Sequence, residues 1–217
     1  MISIVLPVYN EEARIRTTLQ SLRQQRAILS GALQAEILVV DSASIDRTAA
    51  LAADYGAELL QAPKGKLTAR EVGIAHARGE IIAAVDGDST YPPCWLGRIV
   101  GHFTNPQVAA VSGPRIYSDA LLMNLVTYPW GLLFKPGFYM CGGNSAFRRA
   151  AFYETGRFYR TDQLNIDTMI NEEEIAFGYR LASMGLVIKD PLAYCYTSAR
   201  RWFETRHAHE RQRGERF

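Results

Sequence analysis

Three apolar runs, each stopped by a proline or an aspartate and each followed by a helix-like stretch, constrain this chain more than any other feature. Ile2-Ser-Ile-Val-Leu6 stops at Pro7, Glu36-Ile-Leu-Val-Val ends on Asp41, and Glu80-Ile-Ile-Ala-Ala-Val ends on Asp86. Short runs this apolar read as strands covered on both faces. After the first, Ile15, Leu19 and Leu22 recur at helical spacing, with Asn10 suited to the N-cap. After the second, a helix runs through Ala49 to Tyr55, capped by Ser44 or Asp46 and closed by Gly56. Ala57-Glu-Leu-Leu-Gln61 reads as one more strand, and Lys66 to Arg78 as a third helix ending at Gly79. Strands alternating with helices of this length predict an α/β fold: a Rossmann-like, mainly parallel central sheet flanked by helices. Such sheets take ligands at the carboxyl ends of their strands, where Asp41 and Asp86 stand.

The rhythm loosens after Pro92. Trp95 to Phe103 reads as a helix, Val108-Ala-Ala-Val-Ser112 as a strand, Glu172 to Met184 as a helix and Leu186 to Lys189 as a last short strand. No linker, repeat or low-complexity segment interrupts the chain. The expectation is a single domain over 1–217: a regular α/β front half over about 1–105, an irregular back half over about 106–199 and a basic tail over 200–217.

Composition removes several classes of function. Apolar residues make up 48% and charged residues 21% of the 217, a globular balance that excludes disorder. Of 24 Lys plus Arg and 22 Asp plus Glu, six and three fall between Arg200 and Phe217, so the tail carries +3 and the rest −1. A nearly neutral body argues against a protein that coats nucleic acid. Cys94, Cys141 and Cys195 stand far apart, which suits a reducing, cytoplasmic setting rather than a zinc site or disulfide framework. The first residues have no basic stretch and meet Pro7 early, unlike a signal peptide. Nor is any apolar run near the length of about eighteen needed to span a bilayer. Leu121 to Phe134, fourteen residues holding Tyr128 and Trp130, suits a membrane surface instead. Arg200, Arg201, Arg206, Arg211 and Arg213 would add attraction to anionic lipid. An ordinary core stretch with a solvated tail explains the same residues equally well.

The chemistry-bearing residues gather behind the strands. Asp86-Gly-Asp88 offers two carboxylates one residue apart, with a glycine between them for the turn. Such a pair can share a Mg2+ or Mn2+ ion, which wants oxygen ligands and is often held by one or two carboxylates plus substrate phosphates. Taken alone, Asp-Gly is as readily a solvated turn. Asp41 can accept from a base N–H or a ribose hydroxyl. Lys64, Lys66 and Arg70 surround the start of the third helix, beside Gly65, a reasonable diphosphate site or else a solvated basic face. Glu172-Glu-Glu174 opens an otherwise apolar helix; the three favour the helix dipole, and one facing a cleft could be a general base. No G-x-x-x-x-G-K-[ST], G-x-G-x-x-G after the first strand or G-x-S-x-G is present.

The order of these pieces resembles the family 2 glycosyltransferases, inverting enzymes of the GT-A fold. Pro7-Val-Tyr-Asn-Glu-Glu12 is similar to the family's opening, and Asp41-Ser-Ala-Ser44 to its D-[DG]-[SG]-S segment. Ala69-Arg70-Glu-Val-Gly73 with Ala77-Arg-Gly-Glu80 is similar to A-R-N-x-G…A-x-G-[ED], with Glu71 in place of the Asn. Asp86-Gly-Asp88 matches the D-x-D signature, and Gly142-Gly-Asn-Ser-Ala-Phe-Arg-Arg149 resembles G-x-N-x-A-[FI]-R-R. Glu173-Glu-Ile-Ala-Phe-Gly-Tyr-Arg-Leu181 fits the E-D-x-x-L-x-x-R-L helix, with Glu174 in place of the Asp. Thr197-Ser-Ala-Arg-Arg-Trp202 stands where processive synthases carry Q-x-x-R-W, which disfavours a polymerising enzyme.

The resemblance implies a non-processive, inverting transfer from a UDP- or GDP-sugar donor to an acceptor hydroxyl, on a sugar, a lipid-linked molecule or another carrier. It implies that Pro7, Tyr9 and Glu11 border the nucleoside and that Asp41 accepts from the base. Arg70 and Lys66 would face the diphosphate, Asp86 would lie by ribose and metal, and Asp88 would hold Mg2+ or Mn2+. Glu174, or Glu173 if the register slips by one, would be the base. Two other readings use the same front half: a nucleotidyltransferase that makes sugar nucleotides, and a non-catalytic nucleotide-sugar binder. The first would want a Gly-rich loop and lysine after the first strand, where Pro-Val-Tyr-Asn stands.

Overall fold

The computed structural model describes residues 1–133, 142–156, 158 and 172–200, with backbone alone at 126, 128, 130–133 and 172–175. Strand β1 (Ile2–Val8) runs through the proline expected to stop it, and all seven of its residues are buried. Its ladder to β4 (Ile81–Val85) ends at the pair Val5↔Ala84, so Pro7 falls where β1 is paired only with β2 (Ala35–Asp41). A missing N–H is tolerated where a strand is bonded on one side. In chain order, α1 (Ile15–Arg23) and α2 (Arg26–Leu29) separate β1 from β2, and α3 (Thr48–Asp54), β3 (Glu58–Gln61) and α4 (Lys66–His76) lead to β4.

The second half is more broken: β5 (Ser89–Thr90), α5 (Trp95–Gly101), β6 (Val108–Ser112), β7 (Arg115–Tyr117), α6 (Leu121–Leu133), β8 (Asn144–Arg148), α7 (Arg149–Glu154), α8 (Glu172–Met184), β9 (Leu186–Lys189) and β10 (Cys195–Thr197). Seven strands form one sheet in the order β3-β2-β1-β4-β8-β6-β9. All pairings are parallel except those of β8, which is wedged antiparallel between β4 and β6. The predicted mainly parallel α/β sheet is therefore present, with one inverted strand near its middle. A three-stranded sheet, β5-β10-β7, sits beyond the D-x-D turn. Strands of two or three residues leave no periodic signal, and these were not expected from the sequence.

Alternation along the strands sends side chains to two cores. Ile4, Leu6 and Val8 of β1 join Leu19, Leu22, Trp95 and Ile99 on one face. Val5 joins Ile74, Phe147, Phe177 and Leu181 on the other. On that second face α4 comes unusually close to the sheet: a Cβ at Gly73 would lie 2.5 Å from Val5 Cγ1 and 2.9 Å from Val40 Cγ2.

Two helix starts differ from expectation. Asn10 does not cap α1; with φ of 52° it turns the chain, accepting from Ile45 N–H at 2.9 Å and donating its own N–H to Ser44 Oγ at 3.0 Å. At α3 the N-cap position is Arg47 rather than Ser44 or Asp46, although the Asp46 carboxylate, one residue earlier, accepts the N–H of Thr48 at 2.9 Å.

Asn144, fully buried at the head of β8, ties the two halves together. Its Oδ1 accepts Trp95 Nε1–H at 2.6 Å, and its Nδ2 donates to Pro114 O at 2.8 Å and Ala193 O at 2.9 Å. Beyond β9, Asp190 accepts from Arg98 (3.0 and 3.2 Å) and the Leu192 N–H (2.9 Å), with His102 Nε2 at 3.0 Å. Burial pushes its carboxyl up, but the bonds from Arg98, His102 and Leu192 and the charge of Arg98 outweigh it, so the net shift is downward.

Asn144→Ala strands the Trp95 N–H and the Ala193 carbonyl inside the protein, while Pro114 O keeps the Cys195 N–H at 3.2 Å. A loss of about 2–4 kcal/mol, read as a lower urea midpoint with unchanged slope, is expected. Asp190→Asn is expected to cost about 1–3 kcal/mol at neutral pH. Because the folded carboxyl titrates below its unfolded value of about 3.9, its stabilisation is present above that pH and drains away as pH falls towards the folded value. The gap between wild type and Asp190→Asn in urea unfolding should therefore narrow with acidification; a gap constant down to the acid limit would contradict this.

Candidate active site

The carboxyl ends of β2, β1 and β4 lie side by side, and the loops leaving them carry most of the expected residues. Pro7 is buried within β1. Tyr9, just past its end, has Lys64 Nζ over its ring at 4.7 Å. Asp41 closes β2; it is 3% exposed, and its Oδ1 accepts the N–H of Ser44 at 3.2 Å. The neighbouring Ser42 shapes the loop that carries Lys64. Its hydroxyl donates to Pro63 O at 3.2 Å and accepts the N–H of Gly65 at 2.7 Å. Gly65, with φ of 143°, then turns the backbone into α4, a conformation that suits glycine.

Lys66 and Arg70 are one helical turn apart on α4 and converge on Asp86. Lys66 Nζ is 2.9 Å and Arg70 Nη2 3.4 Å from Asp86 Oδ1. Arg115 of β7 approaches the other oxygen at 4.0 Å. Arg70 is 1% and Asp86 6% exposed, so these charges meet in a poorly hydrated place where their interaction is screened little. The Asp86 N–H donates to Tyr91 Oη at 3.0 Å, and Tyr91 donates in turn to Gly143 O at 2.7 Å, joining the end of β4 to the segment before β8. Gly143 is pressed against the carboxylate: a Cβ there would lie 2.0 Å from Asp86 Oδ2.

Asp88 stands in a different setting. It is half-buried, with Ser89 Oγ at 3.4 Å and Thr197 Oγ1 at 3.5 Å from its Oδ1, and those two hydroxyls are bonded to each other at 3.0 Å. β5 and β10 thus bring a residue from the far end of the chain beside the D-x-D. Asp88 also forms part of the wall of a pocket of about 240 Å³, with Arg14, Thr18, Asp119, Tyr196 and Ser198 among its neighbours there.

Glu11, expected beside a nucleoside, is 1% exposed, and its carboxylate meets arginines. Arg200 Nη2 lies 2.9 Å from Oε1, Arg14 Nη1 lies 3.9 Å from Oε2, and the Glu11 N–H donates to Thr48 Oγ1 at 2.8 Å. It fastens the first loop to α3 and to the segment after β10. Glu173 and Glu174 fall in the first turn of α8, and their side chains lie outside the described residues. Further along that helix Phe177 and Leu181 are buried, Phe177 edge-on to Phe147 at 5.2 Å.

Tyr9, Asp41, Lys66, Arg70, Asp86 and Asp88 thus all border the strand ends. Sequence reasoning missed Arg115, Tyr91 and Thr197, each from a stretch too short to carry a pattern. Gly113-Pro114 just before Arg115 marks a turn, the one local signal that a new strand might begin there. Lys66, Arg70 and Arg115 gather three cations around Asp86, a setting in which an oxyanion would be stabilised. Among the described residues no cluster of three or more His, Cys, Asp or Glu side chains could enclose a metal ion. The donor set still fits Mg2+ or Mn2+, because these ions are commonly held by one or two carboxylates and completed by water and phosphate oxygens. Asp88, reachable from the pocket, is the carboxylate better placed for that.

The arrangement has relatives. A pre-mycofactocin glycosyltransferase of Mycobacterium tuberculosis is 33% identical over 122 residues, 54% of this chain and 24% of that one. An undecaprenyl-phosphate 4-deoxy-4-formamido-L-arabinose transferase of Pseudomonas aeruginosa is 34% identical over 108 residues, 46% of this chain and 31% of that one. The chain therefore spans between a quarter and a third of the length of these two relatives. The mannosyltransferase PcManGT from Pyrobaculum calidifontis, solved in complex with GDP-Man and Mn2+, superposes with a TM-score of 0.71 at 23% identity, over 94% of this chain and 60% of that one. At that identity the likeness establishes the fold, the GT-A arrangement of a glycosyltransferase. The sequence pattern of glycosyl transferase family 2 matches residues 3–156, from β1 through the D-x-D to the end of α7, and the chain belongs to that family.

Proposed function

We propose that this enzyme transfers a sugar, with inversion and without processivity, from a UDP- or GDP-sugar to a nucleophilic oxygen of an acceptor carried on a lipid. The observation that carries the reading is the convergence of Lys66, Arg70 and Arg115 on Asp86, two residues before the half-buried Asp88. A nucleoside diphosphate leaving group gains negative charge as the glycosidic bond breaks, and fixed cations in a poorly hydrated site stabilise that charge without reorganising. Tyr9 and Asp41 would border the base, with Asp41's second oxygen open to an N–H or hydroxyl. Asp86 would hold the basic side chains in register at the ribose and diphosphate. Asp88, with Asp86, would hold Mg2+ or Mn2+. When bound, the ion would supply Lewis-acid stabilisation of the departing diphosphate.

Glu174 would take the proton of the acceptor hydroxyl as its oxygen bonds to the anomeric carbon. The bond from that carbon to the diphosphate oxygen breaks on the opposite face, and the nucleoside diphosphate departs with the electron pair. Lipid carriage of the acceptor is drawn from the arabinose transferase named above, and the donor and metal from the mannosyltransferase complex. The setting proposed is cytoplasmic. A nucleotidyltransferase or a non-catalytic binder would account for the front half, but neither needs a carboxylate at the head of α8.

Two measurements test this reading. Calorimetry with UDP and GDP is expected to show affinity rising on addition of Mn2+. Asp88→Ala should reduce the metal-dependent part by at least the roughly 10–100-fold that loss of an outer partner costs a metal site; equal affinity in excess chelator would remove the metal from the scheme. Glu174→Gln keeps size and hydrogen bonding but cannot accept a proton. Nucleotide binding should survive while transfer falls by roughly two to four orders of magnitude. Loss in Glu173→Gln instead would move the base by one position, and full activity in both variants would refute general-base catalysis from this helix.

A further inference from the structure

Helix α6 is inverted with respect to a surface helix of a protein in water. Its sequence, LLMNLVTYPWGLL, holds no charged residue. The one strongly polar side chain described on it, Asn124, points inward, accepting the Tyr117 N–H at 2.8 Å and donating to Tyr117 O at 2.9 Å, so it grips β7 like an added strand. Three of its leucines face out: Leu121 is 71%, Leu122 82% and Leu125 74% exposed. A helix usually turns its apolar stripe to the core and its polar face to solvent. A cluster this proud is the kind of exposed apolar surface that marks an interaction site.

Basic sequence departs from the same spot. Asp119, two residues before α6, accepts the Ser198 hydroxyl and, at 2.7 Å, the Ala199 N–H, which pins the start of the apolar helix to residues 198–199. Arg200 follows at once and is engaged by Glu11; Arg201, Arg206, Arg211, Arg213 and Arg216 come after it in sequence. An apolar ridge beside a polybasic segment is the two-signal combination that holds a protein reversibly on an anionic membrane. The three leucine side chains offer no hydrogen-bonding group, so they fit a fluid apolar layer better than a second protein surface with its own polar rim. No helix among the described residues is long and apolar enough to cross a membrane.

We propose that Leu121, Leu122 and Leu125 insert into the surface of an anionic lipid bilayer and dock the enzyme on it. The inference rests on the lipid-carried acceptor proposed above, and it adds the surface by which the site reaches it. The geometry suits that task, because α6 grips β7, β7 pairs with β10, and Thr197 of β10 stands beside Asp88.

The test is co-sedimentation of the full chain with vesicles of phosphatidylcholine alone or mixed with phosphatidylglycerol, alongside calorimetry with UDP, GDP and Mn2+. Wild type is expected to pellet with the mixed vesicles, and less so at high salt. Leu121→Ser/Leu122→Ser/Leu125→Ser, which adds no charge to repel lipid, should lose roughly tenfold or more of that partitioning. Leu29→Ser, at a leucine 70% exposed on α2, should keep it. Unchanged thermal unfolding of the triple variant verifies that the loss is not unfolding. Wild type left in the supernatant with both vesicle types, or a triple variant that pellets like wild type, overturns the proposal. So does a dimer in sedimentation velocity that the triple variant abolishes while neither protein pellets, since the ridge would then join two copies. Metal-dependent nucleotide binding without vesicle binding removes the docking surface and leaves the transferase. Vesicle binding without nucleotide binding does the reverse.

Discussion

A single buried carboxamide links three separate segments of this protein at the head of β8. Asn144 satisfies the indole N–H of Trp95 and two backbone carbonyls from separate loops, and does so at zero exposure. The indole N–H and the Ala193 carbonyl would otherwise be buried unpaired at a cost of about 1–3 kcal/mol each. No other residue type supplies one acceptor and two donors in so small a volume. The side chain therefore fixes where β8 starts, and with it how closely Gly143 presses on Asp86. The position of the carboxylate at the centre of the site depends on an amide that never touches it.

The site itself is an electrostatic object built on backbone geometry. Parallel strands end at one edge, and α4 begins beside that edge with Lys66 and Arg70 one turn apart, so the two cations necessarily reach the same place. Gly73 lets the helix lie close enough for Arg70 to be buried. Asp86 answers these charges, and Arg115 adds a third from the small sheet. The ion pairs among them hold three cations at one edge of the sheet, where an anion would meet them together.

Much of this was legible in the sequence, and the boundary follows length scale. The strands at Ile2, Glu36 and Ile81 and the helix at Lys66 have enough residues to show period and ends, and Asp41 and Asp86 could be placed by adjacency to them. The three-stranded sheet could not, because Ser89–Thr90 or Arg115–Tyr117 has no period to read. Arg115 and Thr197 reach the site through that sheet, so they stayed hidden with it. Asn10 shows a different limit: residue chemistry suggested a cap, whereas contacts more than thirty positions away decided where its polar groups went. The inward Asn124 was not expected either: it bonds the backbone of Tyr117, seven positions back across the turn into α6, although the apolar stretch around it was plain.

The inverted strand has a bearing on how the chain assembles. Until residues 144–148 are made, β4 has a neighbour on one side only, and β6, synthesised earlier, has no parallel route to it within this sheet. The first hundred residues accordingly carry an open hydrogen-bonding edge of five buried, wholly apolar residues, Ile81 to Val85. An edge of that kind is a template for pairing with other chains. β8 acts as a keystone laid late, closing on Val85↔Asn144 and Ile81↔Arg148 at once. Evolution of the second half is free in its loops yet bound at this strand, because a lengthened loop changes only the waiting time, whereas a displaced β8 leaves the nascent first half to find another partner.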